Sequence, residues 1–274
     1  MLAVALLLFG GIAFAHAAPF PFLLEAFRPA RSLWKVAPVP GSPPTIYLTF
    51  DDGPNADWTP PLLDALNEVG VRATFFLIDD HITPGTEPIV RRLAGAGHAI
   101  GLHSGTRRLM LIAPDALAAT LNARAARILA LTGREPCRLF RPHAGWRSAT
   151  MYEGLERAGY TLAGWGWGLW DWDWWRRPRA DRVTARLARK ASAGDIVVIH
   201  DGHHANPRAD RRHAAGTVRL LVPRLRARGF SFGTLCDPAP PRSGTAAHRR
   251  AGENSGPDVN STTYTEVSSQ PRTE

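Results

Sequence analysis

From Thr45 to about Leu235 the chain alternates between two hydrophobic patterns. Short, continuous apolar runs rich in β-branched and aromatic residues occur at 45–50, 72–78, 98–103, 137–141, 160–170, 195–200 and 230–235. Such runs read as buried strands. Between them, near 58–69, 86–96, 114–132, 148–158, 179–192 and 214–228, apolar residues recur at helical spacing. Pro114 and Pro178 stand where first helical turns would start, and Gly70, Gly133, Gly159 and Gly229 stand where helices would stop. Strands separated by helices through short loops predict a parallel β/α architecture. The pattern alone leaves closed barrel and open sheet both open, and it contains no internal repeat.

The flanks differ in kind. Residues 1–18 are apolar and end in Ala15-His16-Ala17, an A-x-A cleavage pattern that reads as a secretory signal peptide. Because no Lys or Arg precedes the apolar core, an uncleaved N-terminal membrane anchor is the alternative. Either one predicts export to the periplasm, the cell envelope or the medium. Residues 19–44 are rich in proline and read as a lead-in to a folded region at 45–236. Residues 237–274 lack apolar periodicity and read as a disordered tail.

The formal net charge is +9, carried almost wholly by arginine, since Lys35 and Lys190 are the only lysines. The arginines are spread over several expected helices (Arg91, Arg124, Arg186 and Arg224 among them), which suits a solvated surface. No nucleic-acid partner is therefore expected. Cys137 and Cys236 flank different strands, which predicts opposite ends of a parallel sheet. They give neither a disulfide framework nor a zinc site.

In parallel β/α folds the reactive groups gather at the carboxyl ends of the strands. Here the first run ends in Asp51 and Asp52, followed by the strand-breaking Gly53-Pro54. The third ends in His103, and the fourth runs through Arg141 to His143. The fifth leads to Asp171 and Asp173, and the sixth ends in His200 and Asp201. Two adjacent carboxylates are costly to hold together unless a cation or base shares the site. Carboxylates, histidines and an arginine on one rim make a candidate acid–base or metal site.

Thr49-Phe50-Asp51-Asp52-Gly53-Pro54, His103-Ser104, Phe140-Arg141-Pro142-His143-Ala144-Gly145, Asp173-Trp174 and Ile199-His200 occur in that order. Together they resemble the five motifs of the polysaccharide deacetylases with a NodB-homology domain, carbohydrate esterase family 4. The resemblance covers about 45–235. It implies a distorted seven-stranded (β/α) barrel of NodB-homology type and metal-assisted hydrolysis of N-acetyl groups on an amino-sugar glycan. It also implies the roles. Asp51 would be the general base. Asp52 and His103 would bind a divalent metal, zinc in the family's usual form. Arg141 would orient Asp51, His200 would be the general acid, and Asp173 would tune that machinery. A backbone N–H near Ala144 would help hold the oxyanion.

One position departs from the family pattern H-[S/T]-x-x-H. The second histidine, a metal ligand, is replaced by Arg107, whose guanidinium has no lone pair to offer. Three explanations stand. Another rim residue (His143, Asp79, Asp80, His81, His203 or His204) supplies the ligand; Asp52 and His103 bind metal with waters; or Arg107 takes the cation's place, leaving a glycan-binding protein without turnover. Residues 165–175 read Trp-Gly-Trp-Gly-Leu-Trp-Asp-Trp-Asp-Trp-Trp. On a strand, Trp165 and Trp167 would share one face and Trp170, Trp172 and Trp174 another. Flat indoles suit both a barrel core and sugar rings. Trp58, Trp146 and His143, beside the first and third motifs, are candidate substrate contacts.

Overall fold

The computed structural model describes residues 3–6, 32–172 and 177–236. Eight strands, β1 (Ser32–Leu33), β2 (Thr45–Gly53), β3 (Thr74–Ile78), β4 (Ala99–His103), β5 (Leu139–Arg141), β6 (Thr161–Ala163), β7 (Ile196–His200) and β8 (Ser231–Gly233), form one sheet. The order is β1-β6-β5-β4-β3-β2-β7, with β8 also pairing to β2, and every pairing is parallel. Six α-helices alternate with the strands: α1 (Thr59–Glu68), α2 (Glu87–Gly95), α3 (Pro114–Thr132), α4 (Ala149–Ala158), α5 (Ala180–Lys190) and α6 (His213–Arg226). Their punctuation is as expected. Pro114 opens α3, Ser148 caps α4 by accepting from Met151 N at 3.0 Å, and Gly133 and Gly159 close α3 and α4 in left-handed conformations.

Each strand divides its side chains between two faces. Leu48, Phe50, Phe75, Leu77, Leu102, Phe140, Leu162, Val197 and Ile199 pack under the helices in the main core. The opposite face carries Tyr47, Phe76, Leu139, Ala163, Ile196 and Val198 in smaller clusters inside the curved sheet. Strand residues alternate with period two. Asp51 therefore follows Tyr47 and Thr49 onto the inner face, Arg141 follows Leu139, and His200 follows Ile196 and Val198. Gly101 leaves room inside for Phe76, whose ring would stand 2.6 Å from an added Cβ.

The sheet is closed irregularly, which corrects the long 160–170 strand. Regular pairing stops at Ala163, after which the chain turns across to β7. Gly166 N donates to Ile196 O at 2.9 Å, and Val198 N donates to Leu169 O at 2.8 Å. Trp165 is consequently buried inside while Trp167 is 66% exposed, so the two do not share a face. Trp174 lies outside the described residues. The lead-in also joins the fold earlier than expected: Ser32 and Leu33 pair with Leu162 and Ala163, and Lys35 bridges to Asp195. Trp34 lies against Gly164 so closely that an added Cβ would meet its ring at 2.1 Å. Residues 19–31 of the expected lead-in, most of the 1–18 segment and the 237–274 tail fall outside the described residues. No helix among the described residues is long and apolar enough to cross a membrane.

Cys137 and Cys236 form a disulfide, against the expectation of opposite ends. The cause is the shortness of β8. It pairs only with the first residues of β2, so the chain leaves it at the amino-terminal rim. Leu235 N then donates to Thr74 Oγ1 at the start of β3, which brings Cys236 to Cys137 just ahead of β5. The bridge closes a loop with a sequence separation of 99. Cys236→Ser should lower unfolding free energy by about 2–4 kcal/mol, read by urea denaturation under non-reducing conditions. Reductant should erase the difference between variant and wild type.

Candidate active site

The tips of β2, β4, β5 and β7 meet at one rim. The adjacent carboxylates of β2 are sent in different directions by the backbone. Asp52 is left-handed (φ 68°), and its carbonyl is held by His81 Nδ1 at 2.9 Å. Gly53 can be nothing larger, because a Cβ there would stand 2.5 Å from the carboxylate of Asp201.

Asp51 turns inward to Arg141, whose Nη1 donates to Asp51 Oδ1 at 2.6 Å and to Thr49 Oγ1 at 2.8 Å. The other edge of the guanidinium donates to Ala163 O (3.2 Å) and Gly164 O (2.9 Å), and its plane lies 3.9 Å from the Phe76 ring centroid. Both side chains are buried. Such a pair contributes little net stability but is costly to break, about 3–5 kcal/mol for loss of one partner.

Asp52 faces His103, with Oδ1 at 3.1 Å from Nε2. Burial opposes ionisation of Asp52, but the hydrogen bond and charge of His103 outweigh it and hold the carboxyl well below the usual carboxylate range. His103 Nδ1 donates to Arg141 O at 2.6 Å, which fixes the ring with Nε2 toward Asp52. A carboxylate oxygen converging with an imidazole nitrogen whose other nitrogen is tied to a carbonyl is a donor set suited to a divalent metal. The fit extends to two side chains. Arg107 does not enter the site; its guanidinium lies over Trp146, 4.6 Å from the ring centroid, and Asp52 pairs with His103 instead. Among the described residues no group of three or more His, Cys, Asp or Glu could hold a metal ion. His143, His204 and His203 line up beside the site with ring centroids 4.4 Å apart in sequence. His81 serves the Asp52 backbone, and Asp79 pairs with Arg127.

His200, at the tip of β7, is held by Asp171. Asp171 Oδ1 accepts from His200 Nδ1 at 2.7 Å, and Asp171 Oδ2 accepts from the His200 backbone N at 2.9 Å. Asp173, assigned that role from the resemblance, lies outside the described residues. The sequence offers Asp-Trp twice in succession, and the first copy meets His200. His213 Nε2 also donates to Asp171 Oδ2, at 2.6 Å. No sequence signal marked His213. Burial alone would lower the pKa of His200, but the charge and hydrogen bond of Asp171 outweigh it and push it up to about 9. Trp172 stands edge-on to His200 at 5.3 Å and stacks on Trp170 at 5.0 Å.

Of the other expected residues, Ala144 sits in a short turn after β5 with φ 50°, its neighbour His143 anchored by His143 N donating to Ser104 Oγ at 2.9 Å. Burial first, then the nearby His204 and His103, lower His143 to about 4, so it stays neutral. Trp58 precedes α1 beneath Arg212. Asp201, just beyond His200, is buried under Gly53 with Thr59 Oγ1 at 2.5 Å. Burial pushes it up to about 7.

Fold and rim define a parallel β/α-barrel protein with Asp51 and His200 on neighbouring strand tips. The chain belongs to the polysaccharide deacetylase family. The family's model matches residues 39–163. A chitooligosaccharide deacetylase of Sinorhizobium fredii is 30% identical over 205 residues, spanning 70% of this chain and 90% of the relative. A peptidoglycan-N-acetylglucosamine deacetylase of Bacillus cereus is 28% identical over 199 residues, spanning 73% and 90%. Among solved structures, a family 4 acetyl xylan esterase from Clostridium thermocellum with a cobalt ion superposes with a TM-score of 0.61 at 28% identity, covering 70% of this chain and 88% of that one.

The His200–Asp171 pair carries a pH signature. A raised histidine stabilises the fold fully below its unfolded value of 6.5, and that stabilisation is lost as pH rises through about 9. The stability difference between wild type and Asp171→Asn should therefore be largest near pH 5–6 and shrink as pH rises through 9. Denaturant midpoints across pH 5–10 measure it.

Proposed function

We propose that the protein is an exported carbohydrate N-deacetylase that hydrolyses the N-acetyl amide of an amino-sugar glycan to acetate and a free amine. The observation that carries this is the division of labour on one rim. Asp51 is held by Arg141 on one side, His200 is held by Asp171 on the other, and the Asp52–His103 pair stands with them. Family membership and relatives named as deacetylases of peptidoglycan and chitooligosaccharides supply the substrate class.

Asp52 and His103 would hold a divalent metal such as zinc, which when bound polarises the acetyl carbonyl and acidifies a water. The chain's own groups do the rest. Asp51 accepts the proton of the attacking water, and Arg141 keeps its carboxylate aimed at the rim. The turn at Ala144 offers backbone N–H to the oxyanion as the carbonyl carbon becomes tetrahedral. His200 donates its proton to the amide nitrogen as the C–N bond breaks. A pKa near 9 keeps His200 charged for that step at neutral pH. The indoles of Trp170 and Trp172, stacked beside His200, suit the faces of neighbouring sugar rings. The apolar 1–18 segment supports export or attachment to a membrane, and the Cys137–Cys236 bridge suits an oxidising compartment.

Arg107 favours a second reading, a glycan-binding protein without turnover. Acetate release from N-acetylglucosamine oligomers, measured with added zinc, cobalt or manganese, separates the two. Release with at least one metal, abolished by Asp51→Asn, is the expected result. Sugar binding without release under any metal would leave the second reading standing. Arg107→His restores the family's second ligand histidine and should tighten metal binding at least roughly tenfold by calorimetry. Unchanged affinity would show that the Arg107 position no longer faces the metal site.

A further inference from the structure

His213 is the first residue of α6 and belongs to none of the five motifs, yet its side chain is 5% exposed and touches Asp171 beside His200. Asp171, its partner, sits in the irregular crossing between β6 and α5, where no regular strand ladder holds it. The backbone around it is tied at two points: Val198 N donates to Leu169 O at 2.8 Å, and Arg186 Nη2 donates to Trp170 O at 2.6 Å. The direction of its carboxylate is set by three donors. His200 Nδ1 reaches Oδ1 at 2.7 Å, while His200 N and His213 Nε2 share Oδ2 at 2.9 and 2.6 Å. Two of these come from the residue that Asp171 must itself position. Without a third, independent donor, carboxylate and imidazole could pivot together.

We propose that His213 is a positioning residue for the acid: by donating from Nε2 to Asp171 Oδ2, it locks the carboxylate that aims the His200 ring. The inference rests on the deacetylase reading for its kinetic consequence, and on geometry alone for the clamp. The alternative is a buried histidine that only satisfies a polar group of the core. The two cases differ in what substitution does to turnover.

The test uses a pair of polar variants in the full chain. The Gln amide nitrogen reaches about as far as Nε2, whereas the Asn amide nitrogen reaches only as far as Nδ1 and falls short of Asp171. His213→Asn should lower kcat for acetate release roughly ten- to hundredfold at unchanged KM, the range seen when a supporting partner of a reactive group is lost. His213→Gln should recover most of it. In parallel, the downfield Nδ1 proton resonance of His200, assigned by its loss in Asp171→Asn, should persist in His213→Gln and broaden or vanish in His213→Asn. Equal kcat in both variants and wild type, or equal loss in both with the resonance intact, would overturn the proposal. If wild type releases no acetate with any metal, the deacetylase reading fails, and the resonance still decides whether His213 clamps Asp171.

Discussion

An arginine buried inside a barrel must have its charge and its donors met, and the upper half of this molecule is arranged around doing so. Arg141 contacts the tip of β2 through Asp51 and Thr49 and the end of β6 through two carbonyls, with the Phe76 ring beneath it. One side chain therefore ties together strands that are not neighbours in the sheet. Its backbone carbonyl then orients His103. Asp51 and His103 are set by the same residue, so a shift in either is transmitted to the other. A buried ion pair of this kind adds little stability for its cost in desolvation. Its value here lies in holding the Asp51 carboxylate in one direction at the rim.

The rest of the rim follows from how adjacent residues are separated. Asp51 and Asp52 are neighbours that would repel if they shared a pocket. The left-handed turn at Asp52 sends the second carboxylate to His103, and His81 holds the carbonyl that this turn exposes. Arg107 illustrates the opposite case. A guanidinium is costly to desolvate without a well-formed partner, and Asp52 already has His103. The side chain instead stays exposed and lies on Trp146, where a cation and an indole face attract without either leaving solvent entirely. Arg107 thus leaves the Asp52–His103 pair undisturbed.

Much of this was legible in advance because local chemistry and fold agree. Helices expected at 86–96, 114–132 and 148–158 appear at 87–95, 114–132 and 149–158, since proline, glycine and apolar spacing all marked the same boundaries. Asp51, Asp52, His103, Arg141 and His200 fall at strand tips that continuous apolar runs made visible. The misses share one cause. The crossing at 164–170, the entry of Ser32 and Leu33 into the sheet, the meeting of Cys137 with Cys236, and the partnership of Asp171 with His200 and His213 are all contacts between segments distant in sequence. None has a periodicity of its own.

The order of strands and helices, and the placing of charged groups at strand ends, are written in spacing alone. A buried parallel strand must be apolar throughout, and its first polar residue marks where it surfaces. Which of those groups touch is another matter. Strand order and the early break after β6 bring Asp171 to His200. They decide too that His213 stands behind it. Such choices depend on distances of a few tenths of an ångström between elements far apart in the chain. Only the packed barrel sets those distances.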